Sequence, residues 1–324
     1  MKSFAHENAR SVDEAIQLLV KYKGRAKLNA GGTDLLGVLK DRILPDYPEV
    51  IINIKPIAQL NTIEENDDGI RIGALTPLIN ILSSTLVEKT YSILQEAAIT
   101  VASPLIRNMA TIGGNLGQDT RCWYYRYPEE IGGMIKCFRK GGKTCPAVPG
   151  ENRYHAIMEA KKCFAVCPSD MAVVLTVLDA SLTIVGGGGT RNIPMKEFFT
   201  PIGNVLAPDE MIMMINIPKP SPVARQKFLK FTLRKPIDFA IVSAACLITV
   251  DKGVCKDARI ILGAVAPKPI RAIEAEEFLR GKELSEEIVA EAARLALVGA
   301  KPLSKNAYKV EIAKTLVKRV VKGL

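Results

Sequence analysis

Two glycine pairs, Gly31-Gly32 and Gly113-Gly114, limit what this chain can become more than any other feature of it. The first follows a short strand pattern, Ala26 to Asn29, and precedes a helical pattern from Leu35 to Lys40. The second lies in Ala110-Thr111-Ile112-Gly113-Gly114-Asn115, read as a turn after a helix running from about Tyr91 to Ala102. Glycine lacks a Cβ, so the backbone can turn tightly and approach a ligand closely, and a helix N-terminus adds a field that favours an anion. Both turns therefore suit a diphosphate. Thr33 and Asp34 would set a hydroxyl and a capping carboxylate beside the first turn, and Thr111 and Asn115 flank the second. Neither turn fits the GxGxxG fingerprint or the Walker lysine motif, so a different nucleotide fold is required.

The remaining pattern is α+β. Ser11 and Glu14 read as a capping box for a helix from about residue 12 to Tyr22. Strands follow at Val50 to Ile54 and Gly69 to Gly73, then a helical stretch from Pro77 to Leu86, without a regular βαβ period. Apolar patterning stops between Leu116 and Ser169, where Gly, Lys, Arg and Pro are frequent, and 117–168 reads as an insertion. Beyond it come a helix from Met171 to Leu178 and a strand from Leu182 to Val185. Gly186 to Gly189 reads as a hairpin turn, and a strand spans Met211 to Ile217. The stiff Pro218 to Pro222 segment divides a domain of residues 1–218 from one of 223–324. The second domain should hold strands at Phe228 to Leu233, Ala240 to Val250 and Ala258 to Val265, with a turn at Lys235-Pro236. Helices at Ser285 to Val298 and about Asn306 to Val321 complete it, the last basic and suited to a surface or subunit contact.

Five of the seven cysteines, Cys122, Cys137, Cys145, Cys163 and Cys167, fall inside the insertion. The chain has no signal-peptide pattern and no membrane-spanning apolar run, so the sequence predicts a soluble cytoplasmic protein, where a disulfide framework is disfavoured. The net charge of +10 is scattered rather than blocked, which argues against nucleic acid and leaves an anionic cofactor or an acidic protein partner. Thiolates on an irregular loop suit an iron-sulfur cluster. The intervals of 14, 7 and 17 residues between Cys122, Cys137, Cys145 and Cys163 match neither a ferredoxin repeat nor the close CxxC pairs of a zinc ribbon. Buried thiols and a closed zinc site remain open on spacing alone. Cys246 reads as a core residue, Cys255 as a turn-adjacent thiol and His155 as a solvated loop histidine near the cysteines.

Ala30-Gly31-Gly32-Thr33-Asp34-Leu35 and Ile106-Arg107-Asn108-Met109-Ala110-Thr111-Ile112-Gly113-Gly114-Asn115-Leu116 together resemble the paired flavin motifs of the molybdenum hydroxylase family, on its FAD-binding medium subunit. The resemblance covers nearly the whole chain and implies that the two loops, with Asn29, clasp the FAD pyrophosphate. Asp170 resembles the family's acidic position at the flavin nucleotide, where it would bond a ribose or ribityl hydroxyl. Lys230, Arg234 and Asp238 resemble its C-terminal signature, with Lys230 placed to stabilise a reduced flavin. The cysteine-rich insertion, opening Asp119-Thr120-Arg121-Cys122, resembles that of the medium subunit of 4-hydroxybenzoyl-CoA reductase. That resemblance implies a 4Fe-4S cluster on Cys122, Cys137, Cys145 and Cys163, with Cys167 competing for the fourth place. It further implies an electron-transfer subunit within a hetero-oligomer, a dimer of heterotrimers, taking electrons from a donor such as ferredoxin. They would pass toward a 2Fe-2S subunit and a molybdenum-cofactor catalytic subunit. The alternatives are an FAD subunit of a hydroxylating dehydrogenase with the opposite flow, and a zinc-stabilised binding module.

Overall fold

The computed structural model describes residues 1–235 and 237–323; Pro236, half of the expected Lys235-Pro236 turn, falls outside them. Ser11 accepts the amide of Glu14 at 3.1 Å and caps the helix Val12–Tyr22. Glu14 reaches back to the amide of Arg10 at 2.8 Å, so the reciprocal half of the box closes one residue early. Ala15, Ile16 and Leu19 of this helix are buried in one cluster with Val50, Ile52 and Ala26 of a small parallel sheet, Ala5–Asn8, Val50–Asn53 and Ala26–Asn29 in that order. Strand and helix alternate here as the sequence pattern from Val12 to Asn53 implied, with the first strand, Ala5–Asn8, added. Ala5–Asn8 is too short and polar to announce itself as a strand.

Downstream the elements segregate. An antiparallel sheet of five strands runs in the order Ile63–Asn66, Gly69–Gly73, Met211–Pro218, Ser181–Gly186, Gly189–Pro194. The stretch expected as one helix from Pro77 is two, Leu78–Ser83 and Thr85–Thr90, because Ser84 stays extended and caps the second through the amide of Val87. The next helix is Ser92–Ile99, shorter than expected, and an unforeseen one follows at Pro104–Met109, capped by Ser103 with proline in its first turn.

The C-terminal part is a four-stranded antiparallel sheet, Ala224–Phe231, Val242–Asp251, Val254–Gly263 and Ile270–Arg271, covered by helices Ile273–Leu279, Glu286–Leu295 and Tyr308–Lys322. Ala313, Leu316, Val317, Val320 and Val321 of the last helix are buried on this sheet, so its apolar face is taken up within the chain. Cys255, expected near a turn without consequence, is fully buried in the same core.

Helix Asp170–Val177 joins the two halves. All 8 of its residues are buried, and it packs on both Val242–Asp251 and Val254–Gly263 as well as on Ser92–Ile99. Each large apolar side chain so enclosed contributes about 1.5–3 kcal/mol, which offsets the burial of a carboxylate in its first turn. The insertion carries only the short turns Glu129–Gly132 and Phe138–Lys140. It straps across both halves: Tyr125 and Cys137 pack on Val38 and Ile43, while Ile157 and Met158 join the C-terminal core. No helix among the described residues is long and apolar enough to cross a membrane.

Candidate functional site: two glycine loops and a cysteine cavity

The two glycine motifs touch. Strand Ala26–Asn29 delivers the first loop against the end of helix Pro104–Met109, so closely that a Cβ on Gly31 would lie 1.9 Å from the carbonyl oxygen of Met109 and 3.2 Å from the Cα of Ala110. Gly32 has φ +70°, a conformation that costs an L-residue about 1–2 kcal/mol. The amides of Gly31, Gly32, Thr33 and Asp34 meet no protein acceptor among the described residues. Beside them the Oδ1 of Asn29 is buried without a hydrogen-bond partner, close to where a Cβ on Gly32 would stand. Ala30 packs on the core of the parallel sheet and Leu35 begins the helix Leu35–Lys40.

The second motif differs from the sequence expectation. Gly113 and Gly114 lie inside the first turn of a helix, Ile112–Gly117, and Thr111 is its cap, accepting the amide of Gly114 at 3.1 Å. The amide of Gly113 donates to the carbonyl of Ala74 at 2.9 Å, and a Cβ there would meet Ala74 at 2.8 Å. Gly113 is thus needed for packing, and these amides are already satisfied. Asn115 is buried and accepts the Ser169 hydroxyl at 2.6 Å; Ser169 in turn caps helix Asp170–Val177 through the amide of Ala172. Free backbone donors therefore belong to the first loop, and the second supplies its wall.

Asp34 also departs from expectation. It stands at the cap position of its helix but makes no capping bond. Its carboxylate pairs with Arg121 at 2.8 Å and Arg126 at 2.6 Å and accepts the amide of Asp119 at 2.8 Å, clamping the insertion to the first glycine loop. Burial holds Arg121 down at about 10, opposed by Asp34. Its guanidinium stacks 4.5 Å from the ring centroid of Phe239, so one side chain links the glycine loop to the C-terminal signature. Arg234 and Asp238 of that signature pair with each other at the surface at 2.7 Å.

Asp170 and Lys230 form a buried ion pair at 2.7 Å, each side chain about one-twentieth exposed, and Lys230 also donates to the carbonyl of Thr100 at 2.9 Å. Burial raises Asp170 and Lys230 opposes it. Lys230 is no surface lysine, and its charge is engaged by a neighbour within the chain.

Cys122, Cys137, Cys145 and Cys163 line one cavity of about 280 Å³, open mouth included. Cys167 is elsewhere, buried in the large N-terminal core. No group of three or more His, Cys, Asp or Glu side chains among the described residues stands close enough together to hold a metal ion as placed. Burial pushes Cys122 up to about 11. Two basic side chains line the cavity, Arg139, which donates to the sulfur of Cys163 at 3.3 Å, and Lys162; nearby the buried Lys140 ammonium lies 5.3 Å from the ring centroid of Tyr125 and makes no hydrogen bond. His155, expected in solvent, is only 3% exposed, with Nε2 3.3 Å from the Cys122 sulfur; burial and then Lys309 hold it down at about 4.

A second, larger cavity of about 1070 Å³, open mouth included, adjoins the first. Arg121, Cys122, Trp123, Tyr154, His155, Ala165, Arg234 and Phe239 are among its lining residues. Sequence reasoning missed Arg121, Arg126, Arg139, Lys140 and His155 as participants; the density of arginine around Cys122 was the available signal.

Residues 2–220 match the FAD-binding domain of molybdopterin dehydrogenases, and 227–324 match the CO dehydrogenase flavoprotein C-terminal domain. The chain is 34% identical to the aldehyde oxidoreductase FAD-binding subunit of Escherichia coli, covering 99% of this chain and 98% of that one. It is 26% identical to the carbon monoxide dehydrogenase medium chain of Afipia carboxidovorans, covering 98% and 96%. The crystal structure of quinoline 2-oxidoreductase from Pseudomonas putida superposes with a TM-score of 0.79 at 26% identity, covering 100% of this chain and 98% of that chain. A match over both domains, with both glycine motifs in contact, leads to one conclusion: the chain belongs to the FAD-binding medium subunits of the molybdenum hydroxylase family, and is an oxidoreductase subunit.

Proposed function

We propose that this subunit holds FAD between its two glycine loops and a 4Fe-4S cluster on Cys122, Cys137, Cys145 and Cys163, as an electron relay in a hetero-oligomeric enzyme. The contact of Gly31 with Met109 carries the flavin part of the reading. It makes one concave wall from two distant segments, with unpartnered amides able to donate to a diphosphate and the orphaned Asn29 oxygen able to accept from a ribityl hydroxyl. Ala30, Leu35, Ala110, Thr111, Gly113, Gly114 and Asn115 shape that wall, and Asp170 with Lys230 stands behind it as a buried pair. The aromatic cavity beside Arg121 and Phe239 fits a flat ring system.

Four thiols around one cavity, with the Arg139 and Lys162 cations on its wall, suit an anionic cluster of several irons better than a single zinc, which draws its four ligands within about 2.3 Å of one point. When bound, FAD supplies two-electron and one-electron steps and the cluster one-electron steps. The chain's own residues bind, orient and exclude water. Donor and acceptor would be an external protein such as ferredoxin and the 2Fe-2S and molybdenum-cofactor subunits of a 4-hydroxybenzoyl-CoA reductase-like enzyme. The scattered positive charge favours an acidic donor protein. The relatives favour a second reading, with electrons flowing outward from an oxidised substrate, since their names are those of dehydrogenases and oxidoreductases.

Anaerobic purification with flavin extraction, iron and sulfide analysis, and electron paramagnetic resonance after reduction tests the reading. About four irons and one FAD per chain are expected. Cys122→Ser should lose iron and keep flavin, while Cys167→Ser keeps both; a colourless preparation with neither ends the proposal.

A further inference from the structure

We propose that His155 is a positioning residue for the cysteine-held cluster, donating a hydrogen bond from Nε2 to the sulfur of Cys122 at the wall between the two cavities and so setting the cluster's reduction potential. The assignment rests on the cluster reading above and extends it to a residue outside the cysteine set. Of the four proposed cysteine ligands, Cys122 alone lines both cavities. His155 also lines the aromatic pocket and lies 3.3 Å from the Cys122 sulfur.

A ligating thiolate carries no proton and can only accept, so the hydrogen in this contact belongs to Nε2. Nδ1 is buried with no partner, consistent with the bare nitrogen of that tautomer. The main chain that carries the ring is anchored at both its carbonyl and its amide. The His155 carbonyl accepts from the Lys309 ammonium at 3.0 Å and from the Asn306 side chain at 3.1 Å, and the His155 amide donates to Asn152 at 2.9 Å. Trp123 stands edge-on to the imidazole at 5.5 Å. A hydrogen bond to a ligand sulfur withdraws charge from the cluster and stabilises its reduced form. Arg139 makes the equivalent contact at Cys163, so two of the four thiols carry donors, and His155 supplies the one toward the pocket.

The test is a potentiometric titration of the anaerobically purified complex, followed by electron paramagnetic resonance, with iron and sulfide measured on every sample. In His155→Phe, which keeps a flat ring against Trp123, the midpoint should fall while iron is retained. In His155→Gln, which keeps an N–H donor, it should fall less. A full-iron His155→Phe with the wild-type midpoint, or equal shifts in both variants, overturns the assignment. Should the Phe variant lose its iron, the wild type labelled with ¹⁵N-histidine decides. A weak nitrogen coupling to the reduced cluster supports the bond, and its absence overturns it. An iron-free wild type overturns the cluster reading itself, which separates that failure from failure of the His155 assignment.

Discussion

Gly31 and Met109 stand in backbone contact: a methyl group on the glycine would overlap the methionine carbonyl, 1.9 Å away. Two segments that are remote in sequence thereby become one surface, and the surface exists only while the first residue lacks a side chain. Gly31→Ala is expected to push the loops apart and release flavin. Gly32→Ala should cost about 1–2 kcal/mol for its left-handed backbone and release less, because a Cβ there meets only the Asn29 and Leu36 side chains at 3.0 Å or more. Flavin per chain after gel filtration, alongside the melting temperature, separates the two.

Asp34 shares one carboxylate between Arg121 and Arg126 and holds an amide of the insertion besides. Asp34→Asn keeps the shape and removes the charge. Hydrogen bonds to charged groups are worth about 1.5–3 kcal/mol each, so the insertion should detach more readily from the first loop. The expected signature is faster proteolysis between residues 117 and 168 at a nearly unchanged circular dichroism spectrum.

The Asp170–Lys230 pair is enclosed on the central helix. Removing one partner strands a buried charge, at about 3–5 kcal/mol, whereas removing both strands none. Asp170→Asn and Lys230→Met should each lower stability strongly, and the double variant by less than their sum. Urea unfolding of the four proteins gives the coupling energy; additive losses would refute the pairing.

Much of this architecture was legible in the residues. The glycine pairs announced themselves because their conformational demand is local, and the cysteines because their density breaks the apolar pattern. Beyond Pro218 the chain passes from the five-stranded sheet to the next one, although Phe228, Ala245, Leu247 and Ile261 still share a core with the N-terminal half. What escaped is what arises only on folding. Gly113 looked like a ligand-facing turn, yet Ala74 occupies the space its Cβ would need. Asp34 looked like a cap, yet two arginines far along the chain claim it. His155 looked solvated because its nearest neighbours in sequence are polar, yet Trp123 and Tyr124 pack on its ring and Lys309 of helix Tyr308–Lys322 holds its carbonyl. The parallel sheet at the N-terminus went unread because a four-residue strand such as Ala5–Asn8 carries too few positions for a period to show.

Lys309 gives the sharpest test of that docking. Its ammonium is fully buried and donates to the carbonyls of His155 and Ala264 at 3.0 and 2.6 Å, tying the insertion to the C-terminal sheet. Burial lowers it from 10.5 to about 7. Below about 7 both folded and unfolded chains carry the proton; from there to 10.5 the unfolded chain keeps it while the folded chain has shed it. Stability from this residue therefore rises with pH across that window. Lys309→Met should remove that slope, and it leaves the Ala264 carbonyl without its donor, at about 1–3 kcal/mol. Unfolding in urea at pH 6.5 and pH 9 compares the two: the wild type should gain on the variant at the higher pH, and parallel curves would show that the ammonium keeps its proton in the fold.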